Sequence, residues 1–154
     1  MTSRFLLAAC LALAFVPAAR AAIQDVPTVA AATATDTVDA FSAALQAGEI
    51  ARAAELLADD VLVLESGGAE RSKAEYLAQH AAADAAFLKT AHVMRGERTA
   101  RELGDVAWVG TESEIHASVD GQAVTVQSTE TMVLARTAAG WRIVHIHWSS
   151  RKKP

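Results

Sequence analysis

Gly140-Trp141-Arg142-Ile143-Val144-His145-Ile146-His147-Trp148-Ser149-Ser150 is the stretch that decides the fold. It is rich in β-branched and aromatic residues, and a turn-like Thr137-Ala138-Ala139-Gly140 precedes it, so it reads as a long strand. Side chains alternate along a strand. Strict alternation puts Trp141, Ile143, His145, His147 and Ser149 on one face. Arg142, Val144, Ile146, Trp148 and Ser150 then share the other. Both faces carry large apolar groups, whereas a one-sided sheet shows a polar outer face. One face is expected to meet helices. The face with Val144, Ile146 and Trp148 is expected to meet a second copy, because an exposed apolar stripe calls for a partner. The expectation is a homodimer through the sheet.

Working back from this strand, three more follow the same logic. Ala123 to Arg136 is one, preceded by Val119-Asp120-Gly121-Gln122, whose Asp-Gly pair signals a hairpin. Val106 to Ser118 is another, entered through Gly104-Asp105. His92 to Leu103 is the first of the four, with a bulge expected at Gly96. Such short connections predict an antiparallel meander.

The first half of the chain reads as helices. Thr35 or Asp36 is expected to cap a first helix carrying Val38, Phe41 and Leu45, stopped by Gly48. A short second helix places Ile50, Ala54 and Leu57 on one face and ends at Asp59-Asp60. Val61 to Leu64 is a short buried strand, followed by a Ser66-Gly67-Gly68 turn. Ser72-Lys73-Ala74-Glu75 forms a capping box. The helix it starts runs to about Ala83, and Ala85 to Leu88 extends it after a kink. Helices first and strands after is the α+β order. The fold class is α+β, with N-terminal helices and an antiparallel sheet.

The N-terminus has a separate logic. Arg4 precedes an apolar run of twelve residues, Phe5 to Val16, and Ala19-Arg20-Ala21 offers small residues at a cleavage site. Residues 1–21 read as a signal peptide, too short to anchor as a membrane span. Cys10 sits where a lipoprotein cysteine would, but too few apolar residues precede it, so it reads as part of the signal. Secretion, to a bacterial periplasm, is the expected localisation, without stable membrane insertion. Residues 22–35 read as a linker or arm, residues 36–150 as the domain, and residues 151–154 as a basic tail. Of 154 residues, 133 remain after the signal, and the single cysteine leaves with it. That length supports one core without disulfides. Losing Arg4 and Arg20 leaves 12 basic residues against 18 acidic, a net charge of −6. No clustered basic footprint for nucleic acid is present.

The order of elements, ending in Gly-Trp-Arg-Ile-Val-His-Ile-His-Trp-Ser, resembles the nuclear transport factor 2-like superfamily. The similarity is greatest to its SnoaL-like branch and to the related association domain of calcium/calmodulin-dependent protein kinase. Trp141 to Ser149, with Ser128-Thr129-Glu130-Thr131 on the strand before, carries most of it. Leu57 to Val61 and Gly104 to Ala107 match the helix-to-strand entry and the meander turn. The resemblance implies a curved sheet around helices, a conical pocket and dimerisation through the sheet. It does not settle function, since this fold hosts isomerases, dehydratases, cyclases and assembly domains.

Candidate chemistry centres on histidines. His145 and His147 form an H-x-H pair with spacing suited to zinc, and His92 or Glu130 would have to add a ligand. The family resemblance implies no metal, and neither metal nor cofactor is expected. Tyr76 and His80 lie four apart on one helical face, as a phenol and an imidazole for the pocket or as a core residue and a solvated one. Asp60 is a candidate base or a plain helix stop. Catalytic candidates are thus His147, His80 and Asp60, and ligand contacts Tyr76, His80, His92, His145 and His147. The steroid-isomerase and dehydratase patterns are matched only in part, because Tyr76 is the sole tyrosine. The leading reading is an exported dimer binding a small, partly apolar molecule. An isomerase or dehydratase working by proton transfer, and an assembly domain with an inert pocket, are the alternatives.

Overall fold

A computed structural model describes residues 32–153. The signal peptide, Cys10 and most of the linker lie outside the described residues. The described part holds α1 (Ala34–Ala47), α2 (Ile50–Glu55), β1 (Leu57–Glu65), β2 (Gly68–Glu70), α3 (Lys73–Gln79) and α4 (Ala81–Thr90). The meander follows as β3 (His92–Leu103), β4 (Val106–Val119), β5 (Gln122–Thr137) and β6 (Gly140–Lys152). This is the α+β fold, with a curved six-stranded sheet in the order β2-β1-β6-β5-β4-β3. No helix among the described residues is long and apolar enough to cross a membrane.

The sheet is mixed rather than purely antiparallel, because β1 runs parallel to β6. That pairing joins distant segments, and no local turn signals it. β1 begins at Leu57, so Asp59 and Asp60 lie inside a strand instead of ending α2. Arg151 and Lys152 continue β6 instead of starting a tail. Lys153 then donates its N–H to the Thr125 carbonyl.

Helix caps sit close to their expected places, with changed roles. Thr33, not Thr35 or Asp36, caps α1, and Asp36 reaches back to complete the capping box. Ser72 caps α3 as expected, but the Glu75 carboxylate accepts from the Arg71 N–H. Gly48 ends α1 with a φ of 76°, a left-handed stop that costs a glycine little. The kink after α3 falls at His80, which ends α3 and begins α4.

Besides an irregularity in β1 between Leu57 and Leu62, two bulges shape the sheet. The first lies between Arg95 and Arg98 in β3, around Gly96 as expected. There a Cβ would meet the Glu112 carbonyl at 3.3 Å. The second lies in β6: Val133 pairs with His145 but Leu134 with Ile143, which leaves Val144 as the extra residue. An extra residue resets the alternation. Trp141, Ile143 and Ile146 are all buried, and Trp148 follows Ile146 on the concave face. The strict two-face assignment is therefore corrected beyond Val144. Ile146 and Trp148 face the helices, and His145 and His147 take the convex side.

The core lies between the helices and the concave face. Val38, Phe41 and Leu45 of α1 meet Val61, Val63, Met132, Leu134 and Ile146 there. Tyr76 is also fully buried.

Candidate functional site

The core does not fill the cone. A cavity of about 240 Å³ remains between α1, α4 and the outer part of the concave sheet. Ligand pockets run to about 300–1,000 Å³, so this one suits a small molecule. Its helical wall is apolar, with Phe41 and Leu45 from α1 and Phe87 and Leu88 from α4. Its sheet wall carries an apolar row, Val93, Ile115 and Val126, and the strand register sets two polar rows beside it. Glu65, Trp148, Glu130, Thr111 and Arg98 are successive neighbours across β1, β6, β5, β4 and β3. Ser150, Ser128, Ser113 and Arg95 form the next row. Both rows line the cavity.

Three carboxyl groups face this space: Glu65, Glu130 and, from α4, Asp84. Burial raises the proton affinity of all three above the ordinary carboxylate range. Glu65 is raised further by the charges of Asp84 and Glu70. Asp84 is partly restrained by the Tyr76 hydroxyl, which donates to its Oδ2 at 2.9 Å. Trp148 Nε1 donates to Glu130 Oε2 at 2.8 Å and restrains that group in the same way. Arg98 and Arg95 pull it down as well. Both arginines are held by Asp39, at 2.6 Å and 2.9 Å, and Arg98 also donates to Thr111. The Tyr76 phenol itself stays protonated, because burial and then the Asp84 charge oppose its ionisation.

The expected site residues fall elsewhere. Tyr76 stands one layer behind the cavity, its ring 6.2 Å from that of Trp148, and reaches the site through Asp84. His80 lies outside the lining and pairs with Glu70. His145 and His147 are on the convex face, where His145 Nδ1 lies 2.9 Å from the Leu62 carbonyl. His92 is exposed beside His116, with ring centroids 6.2 Å apart. Asp60 is exposed on β1 and does not line the cavity. The structure thus brings Tyr76 towards the site and disperses the other candidates. No group of three or more His, Cys, Asp or Glu side chains placed to hold a metal occurs among the described residues.

Residues 34–151 match the family of SnoaL-like domains. The chain belongs to that family. This SnoaL-like domain sits in the nuclear transport factor 2-like superfamily, alongside solved structures of similar shape. A candidate ketosteroid isomerase from Shewanella frigidimarina is 36% identical, with a TM-score of 0.69 over 74% of this chain and 92% of that one. A candidate dehydratase of the same superfamily from Streptomyces avermitilis shares 19% identity, with a TM-score of 0.63 over 73% of this chain and 90% of that one. The calcium/calmodulin-dependent kinase hub of S. rosetta shares 20% identity, with a TM-score of 0.65 over 82% of this chain and 100% of that one. The last two likenesses concern the fold alone. No curated protein matches the chain.

Glu65, Asp84 and Arg98 were not among the expected site residues, although parity points to two carboxyls. Glu65 continues the buried series Val61, Val63, and Glu130 precedes the buried Met132 and Leu134 by the same two-residue step. Asp84 lies among Ala81, Ala85 and Leu88 at helical spacing.

Proposed function

We propose that this SnoaL-like domain binds a small, partly apolar molecule in the cavity and moves a proton on it, as an isomerase or dehydratase does. The observation that carries this is the set of half-buried carboxyls, Glu65, Asp84 and Glu130, facing one small cavity. A general base or acid works best when its proton affinity lies near the working pH, which burial favours here. Neighbouring carboxyls in different surroundings divide the two roles. Asp84, which accepts the Tyr76 hydrogen bond, is assigned as the base. Glu65, raised by burial and by neighbouring negative charge, is assigned as the group that keeps its proton and returns it. The apolar helical wall and the row of serines suit a ligand with one apolar face and one oxygen-bearing edge.

The proposal also covers setting. The N-terminal signal pattern supports export to a bacterial periplasm. The convex face, with Leu62, Trp108, Val133 and Val144 around His145, supports dimerisation through the sheet. Ile146 and Trp148, first expected on that interface, lie on the other side.

Deuterium uptake from D2O into 3-cyclohexenone, followed by NMR, tests the enzyme reading. Acceleration by the folded protein that falls about 100-fold in Asp84→Asn is the expected result. Binding of the ketone without uptake would favour the second reading, a pure binding domain. That reading draws support from Asp84 and Glu130 each being satisfied by an internal donor.

A further inference from the structure

We propose that the His80–Glu70 pair, outside the cavity, sets the charge state of the cavity carboxyls Asp84 and Glu65. His80 occupies the break between α3 and α4. Its N–H donates to the Tyr76 carbonyl at 3.0 Å, and its own carbonyl accepts from the Asp84 N–H at 3.0 Å. Tyr76, His80 and Asp84 thus follow one another at four-residue steps along one helical face. The His80 ring reaches across to β2, where Nδ1 contacts the Glu70 carboxylate.

Glu70 is the one buried carboxylate among the described residues, at 4% exposure. A buried charge is costly unless a partner compensates it. His80 is that partner, and half of its side chain remains open to solvent. The titratable groups around the pair come from four elements: Glu65 of β1, Glu70 of β2, Tyr76 of α3 and Asp84 of α4. Lys73 is turned to Asp59, and the two arginines act on Glu130. His80 is therefore the cation of this group. Its positive charge draws protons off Asp84 and Glu65, and the charge of Glu70 does the opposite.

This arrangement couples the cavity carboxyls to an ion pair held outside the cavity. His80 acts here as a positioning residue. Its importance for turnover rests on the proton-transfer reading above, but its effect on the carboxyls does not.

The test is a carbon-13 NMR titration of the Asp84 and Glu65 carboxyls in the full chain, without substrate. His80→Gln removes the cation and is expected to move both midpoints upward. His80→Lys keeps a cation and is expected to hold them near the wild-type positions. Glu70→Gln removes an anion and is expected to move them downward, which keeps the idea testable should His80→Gln fail to fold. Unmoved midpoints in folded His80→Gln, an equal rise in His80→Gln and His80→Lys, or a rise in Glu70→Gln would each overturn the proposal. Midpoints that move as expected in a protein inactive on the ketone would sink the enzyme reading alone. Unmoved midpoints in an active enzyme would sink the role of the pair alone.

Discussion

The two faces of β6 carry the same kinds of residue and hold opposite parts of the molecule. Its concave side sends Ile146 into the core and Trp148 to the cavity, where the indole fixes Glu130. Its convex side carries His145 and His147, which touch neither core nor cavity. One extra residue at Val144 separates these outcomes from the reverse. A one-residue slip in a strand moves every later side chain to the other face. Histidine in a motif therefore says less about chemistry than the parity of the strand that bears it.

Truncating one residue from each face separates the two sides most strongly. Ile146→Ala is expected to cost about 3 kcal/mol, since it empties a fully buried site. His147→Ala is expected to stay within about 0.5 kcal/mol, as exposed substitutions do. Urea unfolding measures both, and equal costs would restore the unbulged strand.

Tyr76→Phe probes the concave side one layer deeper. Losing the hydroxyl removes the donor to Asp84, at about 1–2 kcal/mol in stability. The Asp84 carboxyl should then hold its proton to still higher pH, because the bond that favoured its charged form is gone. Unfolding curves and a carboxyl titration read the two effects, and an unchanged titration would detach Tyr76 from the site.

The smallest effect is one of pH. Burial lifts the proton affinity of Glu65, so the folded chain keeps a proton that the unfolded chain has released. Its contribution to stability is fully present below the ordinary carboxylate range and is lost as pH rises through the raised value. Glu65→Gln removes that loss. Its urea midpoint relative to wild type is therefore expected to climb as pH rises above the ordinary carboxylate range. A flat difference would place Glu65 in water rather than in the cavity.

Much of the fold is legible in the sequence because it is local. The Asp120-Gly121 turn sets one hairpin, and the predicted His92–Leu103 strand has the observed ends. Gly96 marks a bulge because a side chain there would crowd the facing carbonyl. The parallel pairing of β1 with β6 is not legible in this way, since it depends on distant contacts. The Val144 bulge also escapes, because valine beside isoleucine carries no breaking signal. The carboxyl set of the cavity escapes for the same reason. Its carboxyls are spread over β1, α4 and β5, and only the closed sheet brings them to one cavity. The helical position of Tyr76 is legible, and the closed fold gives its hydroxyl Asp84 as partner.

On the proposed function, the concave cavity and not the histidine face receives the small molecule. Titrating 3-cyclohexenone into nitrogen-15-labelled full-length protein tests it directly through the three tryptophan indoles, Trp108, Trp141 and Trp148. The Trp148 indole signal is expected to shift with saturation, while those of convex Trp108 and buried Trp141 stay in place. A saturable shift at Trp108 and the His145 and His147 rings, with Trp148 unmoved, would contradict it.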